Sequence, residues 1–204
     1  TLAIKHGYFD VIETGWPKLD SLFKSRPYHW PSRTSEPIIL FAPTFSPALT
    51  SAPQLYEEII RLSSQHSWQW LIKFHPKMDP VWVAKYQDLS VRNIKVVTDS
   101  PASNLLQAAD IMVSDTSSII GEFALLGKLA VTLNNTQPGD YLINIEKPSD
   151  LEAAIVSGLQ PSFQLKNRVK NYAGDLHPYD DGLSAERVLA ATENRLATGR
   201  RSLK

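Results

Sequence analysis

The chain has 204 residues, 43% apolar and 21% charged, which is enough to bury a full core and excludes a disordered segment. Lysine plus arginine equals aspartate plus glutamate at 21 each, so no overall field draws the protein to nucleic acid or to an anionic membrane, and any anion site has to be local. The lack of cysteine excludes disulfides and thiolate metal centres. With no apolar run long enough for a bilayer and no signal peptide, a cytoplasmic protein is expected.

The sequence opens at Thr1 without a methionine and enters a strand-like pattern almost at once, which predicts further sequence upstream. Residues 1–36 read as an interdomain segment that ends in a proline-rich linker over 26–35. Residues 37–42 predict a buried strand, and 52–64, with Leu55, Ile59, Ile60 and Leu62 on one face, a helix. A strand over 70–74 follows, then a short helix over 80–87 whose Pro80 suits the first turn. Strand 94–97, helix 103–108, strand 111–113 and helix 119–126 continue the pattern, and strand 129–133 comes after the stop signal Gly127. Amphipathic helices are expected over 149–159 and 185–197, with a polar turn at His177-Pro178-Tyr179-Asp180-Asp181-Gly182 between them. The alternation predicts an α/β fold: a Rossmann-like, doubly wound parallel sheet over 37–175 with helices on both faces, followed by a carboxyl-terminal helix and tail over 176–204.

In such sheets ligands bind at the carboxyl ends of the strands. Three motifs fall there: Ala42-Pro43-Thr44-Phe45, then His75-Pro76, then Ser114-Asp115-Thr116-Ser117-Ser118. The last stands on a strand-to-helix turn, where free N–H groups and the positive end of the helix favour an anion, and small hydroxyls add donors without bulk. A helix cap accounts for any one of these residues, but one cap needs only one of them. A phosphate suits the cluster as a whole. His75 can donate N–H to a phosphate oxygen; a surface histidine before a turn-forming proline is the plainer reading, which His6, His29 and His66 keep. Lys73 and Lys77 flank His75, and Trp70 and Trp82 read as core or interface. No Walker loop, zinc spacing or nucleophile elbow appears, which leaves kinase, metalloenzyme and hydrolase readings without support.

These motifs, with Thr14-Gly15-Trp16-Pro17-Lys18-Leu19-Asp20 ahead of them, Lys73-Phe74 before His75, Ala109-Asp110 before the hydroxyl cluster, and Asp181-Gly182 with Ala185-Glu186-Arg187 after them, follow an order and approximate spacing along nearly the whole chain. The series resembles the carboxyl-terminal half of the CDP-glycerol glycerophosphotransferases, the teichoic-acid-type polymerases and their capsule relatives. The resemblance implies a GT-B architecture in which this chain is the donor half, binding a CDP-alcohol or another nucleotide-linked donor. It implies a separate amino-terminal acceptor domain with a catalytic base, a polymer acceptor and attachment at the inner face of the membrane; no cofactor is expected, and no residue is assigned to a metal. Lys5-His6-Gly7 is only superficially similar to the site of that base and is not assigned the role.

The resemblance also implies roles residue by residue. His75 is catalytic and touches the donor phosphates, which Ser117, Ser118, Thr116 and Thr44 also bind. Glu122, Pro43 and Pro76 serve the nucleotide and its ribose, Asp115 orients the turn, and Gly15, Pro17 and Asp20 shape the linker. Thr116 stands where the family more often has an aromatic residue, and Phe45-Ser46-Pro47 follows Thr44 without the arginine that would strengthen a phosphate clamp. A nucleotide-sugar GT-B transferase or a UDP-sugar 2-epimerase would use the same crevice, although the epimerases usually carry a glycine-rich turn where this chain has Thr-Ser-Ser. A nucleotide-binding module without activity of its own is the alternative of another class.

Overall fold

The computed structural model describes residues 11–24 and 28–198, so Lys5-His6-Gly7 and the proposed opening strand lie outside the described residues. The chain divides into two units, one spanning 27–176 and one drawn from the chain on either side of it. The first described elements are a 3-10 turn at Pro17–Leu19 and a short helix α1 (Asp20–Lys24).

The larger unit alternates strand and helix as far as its fifth strand. Its elements are β1 (Ile38–Phe41), α2 (Ala52–Gln65), β2 (Gln69–Ile72), α3 (Pro80–Gln87), β3 (Ile94–Val96), α4 (Ala102–Ala108), β4 (Ile111–Ser114), α5 (Ile119–Ala124), β5 (Ala130–Leu133), β6 (Ile143–Ile145), α6 (Leu151–Leu159) and α7 (Phe163–Leu176). All strand pairs are parallel, in the order β3-β2-β1-β4-β5-β6. This is the doubly wound arrangement, and the winding reverses between β1 and β4.

The strands read as unbroken apolar runs because both faces are covered. In β1 alternate side chains serve different cores: Ile39 and Phe41 pack with Leu55, Ile59 and Ile155, while Ile38 and Leu40 pack with Leu105, Leu106 and Phe123. Trp70 is wholly buried in the first of these cores, and Trp82 packs half-buried against it. Ile60 is only partly buried, set to the side of the stripe that carries Leu55, Ile59 and Leu62. Lys128 donates to the carbonyls of Leu106, Gln107 and Ala109, satisfying the end of α4, and burial pushes its ammonium down to about 8.

Besides the 3-10 turn at Pro17–Leu19, the elements not expected from the pattern are α1, β6 and α7. Helix α7 presents only Leu165, Val169 and Tyr172 inward, with Tyr141 stacked on Tyr172 at 3.5 Å, so its apolar stripe is thin amid charged residues. Strand β6 has three residues, one of them Asn144.

In the smaller unit the chain ends are knitted by polar contacts. Trp16 N–H donates to His177 Nε2 at 2.9 Å, which leaves Nδ1 to donate to the Tyr179 carbonyl at 2.6 Å. Asp20 accepts the N–H groups of Ser184 and Ala185 and so caps α8 (Ser184–Ala197). Gly15 is held at φ +82°, and a Cβ there would stand 2.5 Å from Ser184 Oγ. Asp181 binds Arg187, whose guanidinium lies 3.7 Å over the Tyr179 ring.

The Arg187 guanidinium, with the Leu183 N–H, holds the Asp181 carboxyl down at about 2. A depressed carboxylate stabilises the fold above its unfolded value, about 3.9, and the contribution is lost as pH falls through the folded value. Asp181→Asn is therefore expected to melt earlier than wild type at pH 7, with the gap closing between about pH 4 and pH 2. Circular-dichroism melts across that range check it, and a gap that persists at pH 2 would contradict the ion pair.

Candidate functional site

The loops that leave β1 and β4 meet where the winding of the sheet reverses, and Asp115 joins them. Its side chain is wholly buried. Both carboxylate oxygens lie near Thr44 N–H, at 2.9 and 3.1 Å, and one also accepts Ser51 N–H at 2.8 Å and the Ser51 hydroxyl at 2.9 Å. A buried carboxylate is tolerated when its lone pairs are matched in this way. Ser114 Oγ donates to the Ala42 carbonyl at 2.7 Å, a second tie between the same two strand ends. Pro43 is buried between these ties, and Thr44 is half-buried at the rim.

Because Asp115 faces the β1 loop, it does not cap α5. The N-cap of that helix is Ser118, whose side chain makes no capping bond. The first turn closes through Ile120 N–H to the Ser117 carbonyl at 3.3 Å and Gly121 N–H to that of Ser118 at 3.1 Å. Ser117 is half-buried and Ser118 exposed at the open edge, while Glu122, one turn further, is only 8% exposed. A burial this deep sets Glu122 apart from an ordinary solvated helix residue.

His75 follows β2, on the other side of β1 from the hydroxyl turn. The turn His75-Pro76-Lys77-Met78 closes through Met78 N–H to the His75 carbonyl at 2.9 Å, with Pro76 exposed at its corner. Lys77 N–H donates to His75 Nδ1 at 3.1 Å, which assigns the proton of the neutral ring to Nε2. The Phe45 ring stacks on the imidazole with centroids 4.4 Å apart and planes at 27°. Lys77 Nζ stands 5.7 Å from the Phe45 ring centre, and Lys73 Nζ donates to the carbonyls of Thr98 and Ser100 at 3.1 and 2.9 Å. The charge of Lys73 thus fastens the loop after β3.

The loop after β5 forms a further wall that the motifs did not announce. Asn135 Nδ2 donates to the Asp115 carbonyl at 2.7 Å, and Thr136 N–H to Thr116 Oγ1 at 3.0 Å. Asn134 starts this loop at φ +50°, a left-handed conformation that asparagine tolerates. Asn144 Oδ1 holds it from β6 by accepting Thr132 Oγ1 and Asn135 N–H. A signal for this wall exists in the Asn134-Asn135-Thr136 run directly after a strand.

Adjacent strands therefore bring His75, Phe45, Thr44, Asp115, Thr116, Ser117 and Ser118 to one edge of the sheet. Pro43 belongs to its buried base, whereas Pro76 stands outside on an exposed corner. Among the described residues no group of three or more His, Asp or Glu side chains is placed to hold a metal ion. A cavity of about 480 Å³ opens at the opposite ends of the strands, bounded by Asp110, Lys128, Leu129, Lys166 and Lys170, and shares no residue with this edge.

Sheet order and strand-end loops define a Rossmann-like domain of the GT-B class. Residues 4–194 match the family model described as CDP-Glycerol:Poly(glycerophosphate) glycerophosphotransferase, and the chain belongs to that family. It is 28% identical over 172 residues to the teichoic acid glycerol-phosphate primase of Bacillus subtilis (strain 168), an alignment covering 78% of this chain and 44% of the primase. The chain thus spans less than half the length of that relative. Among solved structures it is similar to the wall teichoic acid polymerase TagF, in a variant soaked with CDPG, at TM-score 0.63 and 15% identity over 95% of this chain and 53% of that one. It is also similar to a UDP-GlcNAc 2-epimerase from Neisseria meningitidis bound to UDP-GlcNAc, at TM-score 0.61 and 16% identity over 91% and 56% of the two chains. These two likenesses show the fold.

Asp115→Ala would leave the Thr44 and Ser51 N–H groups and the Ser51 hydroxyl without their acceptor in a buried place. A loss of about 2–5 kcal/mol is expected in urea unfolding. An unchanged unfolding midpoint would mean that water replaces the carboxylate.

Proposed function

We propose that the chain is the donor-binding half of an enzyme that transfers glycerol phosphate, or a related polyol phosphate, from a CDP-linked donor to a growing surface polymer. The observation that carries this reading is the Asp115 clamp, which ties the Ser117–Ser118 turn and the Thr44–Phe45 loop together on the strand beside His75, in a chain of this family.

In this transfer an acceptor hydroxyl attacks the phosphorus bearing the glycerol, the bridging P–O bond to CMP breaks, and negative charge grows on the departing CMP phosphate. Donors aimed at that charge lower the barrier. His75 Nε2–H and the Ser117 and Ser118 hydroxyls supply them, Thr116 and Thr44 line the same edge, and buried Glu122 accepts from ribose hydroxyls. Asp115 keeps its charge away from the phosphates, since like charges repel. The base that takes the acceptor proton belongs to the acceptor domain, and the complete enzyme works at the inner face of the membrane. Peripheral attachment is the mode proposed; among the described residues no helix is long and apolar enough to cross a membrane.

The uridine alternative rests on the shared fold with the Neisseria epimerase. Calorimetric titration with CDP-glycerol, CMP, UDP-N-acetylglucosamine and UDP separates the two. Selective binding of the cytidine compounds is expected, and a preference for uridine compounds would overturn the proposal. Replacing Ser117 and Ser118 together by Ala is expected to weaken CDP-glycerol binding by about 2–4 kcal/mol. In the complete enzyme His75→Ala should abolish transfer with the fold intact, and unchanged turnover would remove His75 from the chemistry.

A further inference from the structure

Phe45 is 38% exposed, and its ring lies against the His75 imidazole and beside the Lys77 ammonium. Its backbone follows Thr44, whose N–H is held by the buried Asp115 carboxylate, so the ring is carried by a loop anchored to the centre of the sheet. His75, by contrast, is exposed on a turn, and an exposed histidine samples several side-chain rotamers unless something holds its plane. Two contacts do so here. Lys77 N–H occupies Nδ1, and the Phe45 face covers the ring at 4.4 Å.

We propose that Phe45 is a positioning residue: by stacking on His75 it fixes the plane of the imidazole, so that Nε2–H points to a single place at the strand-end edge, and through the Thr44–Asp115 bonds it ties that place to the Ser117–Ser118 turn. This rests on the reading of His75 as a donor to the phosphates of a nucleotide-linked substrate. The stack suits the task because an aromatic face holds a ring plane without competing for either ring nitrogen. Preorganisation of this kind shows in binding and rate, because a donor that must first be oriented loses part of its advantage.

The test has two independent arms on the chain as it exists. In proton NMR the His75 ring protons of the wild type should be displaced upfield by the Phe45 ring current. Phe45→Leu should abolish the displacement, and Phe45→Tyr should retain it. In calorimetry with CDP-glycerol, Phe45→Leu is expected to weaken binding roughly tenfold and Phe45→Tyr to stay within about twofold of wild type. In a His75→Ala background Phe45→Leu should cost nothing further, because the effect runs through His75. Inorganic pyrophosphate should show the same pattern as CDP-glycerol. A loss confined to the nucleotide would make Phe45 a platform for the base instead, and a loss that persists without His75 would also overturn the proposal. If the wild type bound no cytidine compound, the proposed function would fall by itself. The ring-current arm would then decide the stack alone, and wild-type ring protons without the displacement would overturn it.

Discussion

The buried carboxylate of Asp115 is the interaction on which the strand-end edge depends. It lies at the one place in a doubly wound sheet where the winding reverses and two neighbouring loops diverge, leaving a crevice between them. Without a tie, those loops would set their geometry independently. With the carboxylate accepting from Thr44 and Ser51 while its own carbonyl receives Asn135, three loops from β1, β4 and β5 become one rigid frame. The anionic charge needed to gather the donors is spent inside, where it is fully hydrogen-bonded, and the hydroxyls and His75 are left at the open rim.

On the proposed reading, a chain with equal numbers of acidic and basic residues serves an anion through local donors alone. The charged side chains near the edge have structural work: Lys73 fastens the loop after β3, and Lys77 lies over Phe45. At the outward edge stand the Ser117 and Ser118 hydroxyls and the His75 ring, the groups proposed to donate to charge that appears during the reaction. The same fold is shared with epimerases and polymerases at 13–18% identity, and a fold of this kind leaves the choice of chemistry to the side chains at the rim.

Much of this was legible in the sequence because parallel strands covered on both faces leave continuous apolar runs. β1, β4 and β5, together with helices α2, α3 and α6, fall within one or two residues of their expected limits. The hydroxyl cluster was legible as a strand-to-helix turn. The direction of Asp115 was not: a cap and a clamp ask for the same residue type, and only the β1 loop folding back onto β4 decides between them. The Phe45–His75 stack joins residues 30 positions apart through a turn and a loop, with no periodicity to mark it. Helix α7 escaped because three inward residues among lysines and an arginine make too faint a stripe, and β6 because three residues carry almost no pattern.

The most direct measurement is a crystal structure of the chain with CDP-glycerol bound. The expected result places the two phosphates within about 3 Å of His75 Nε2 and of the Ser117 or Ser118 hydroxyl, with the bonds from Asp115 to Thr44 and Ser51 unchanged. Phosphates bound instead at the far ends of the strands, among Lys128, Lys166 and Lys170, or an Asp115 carboxylate swung out to the ligand, would contradict it.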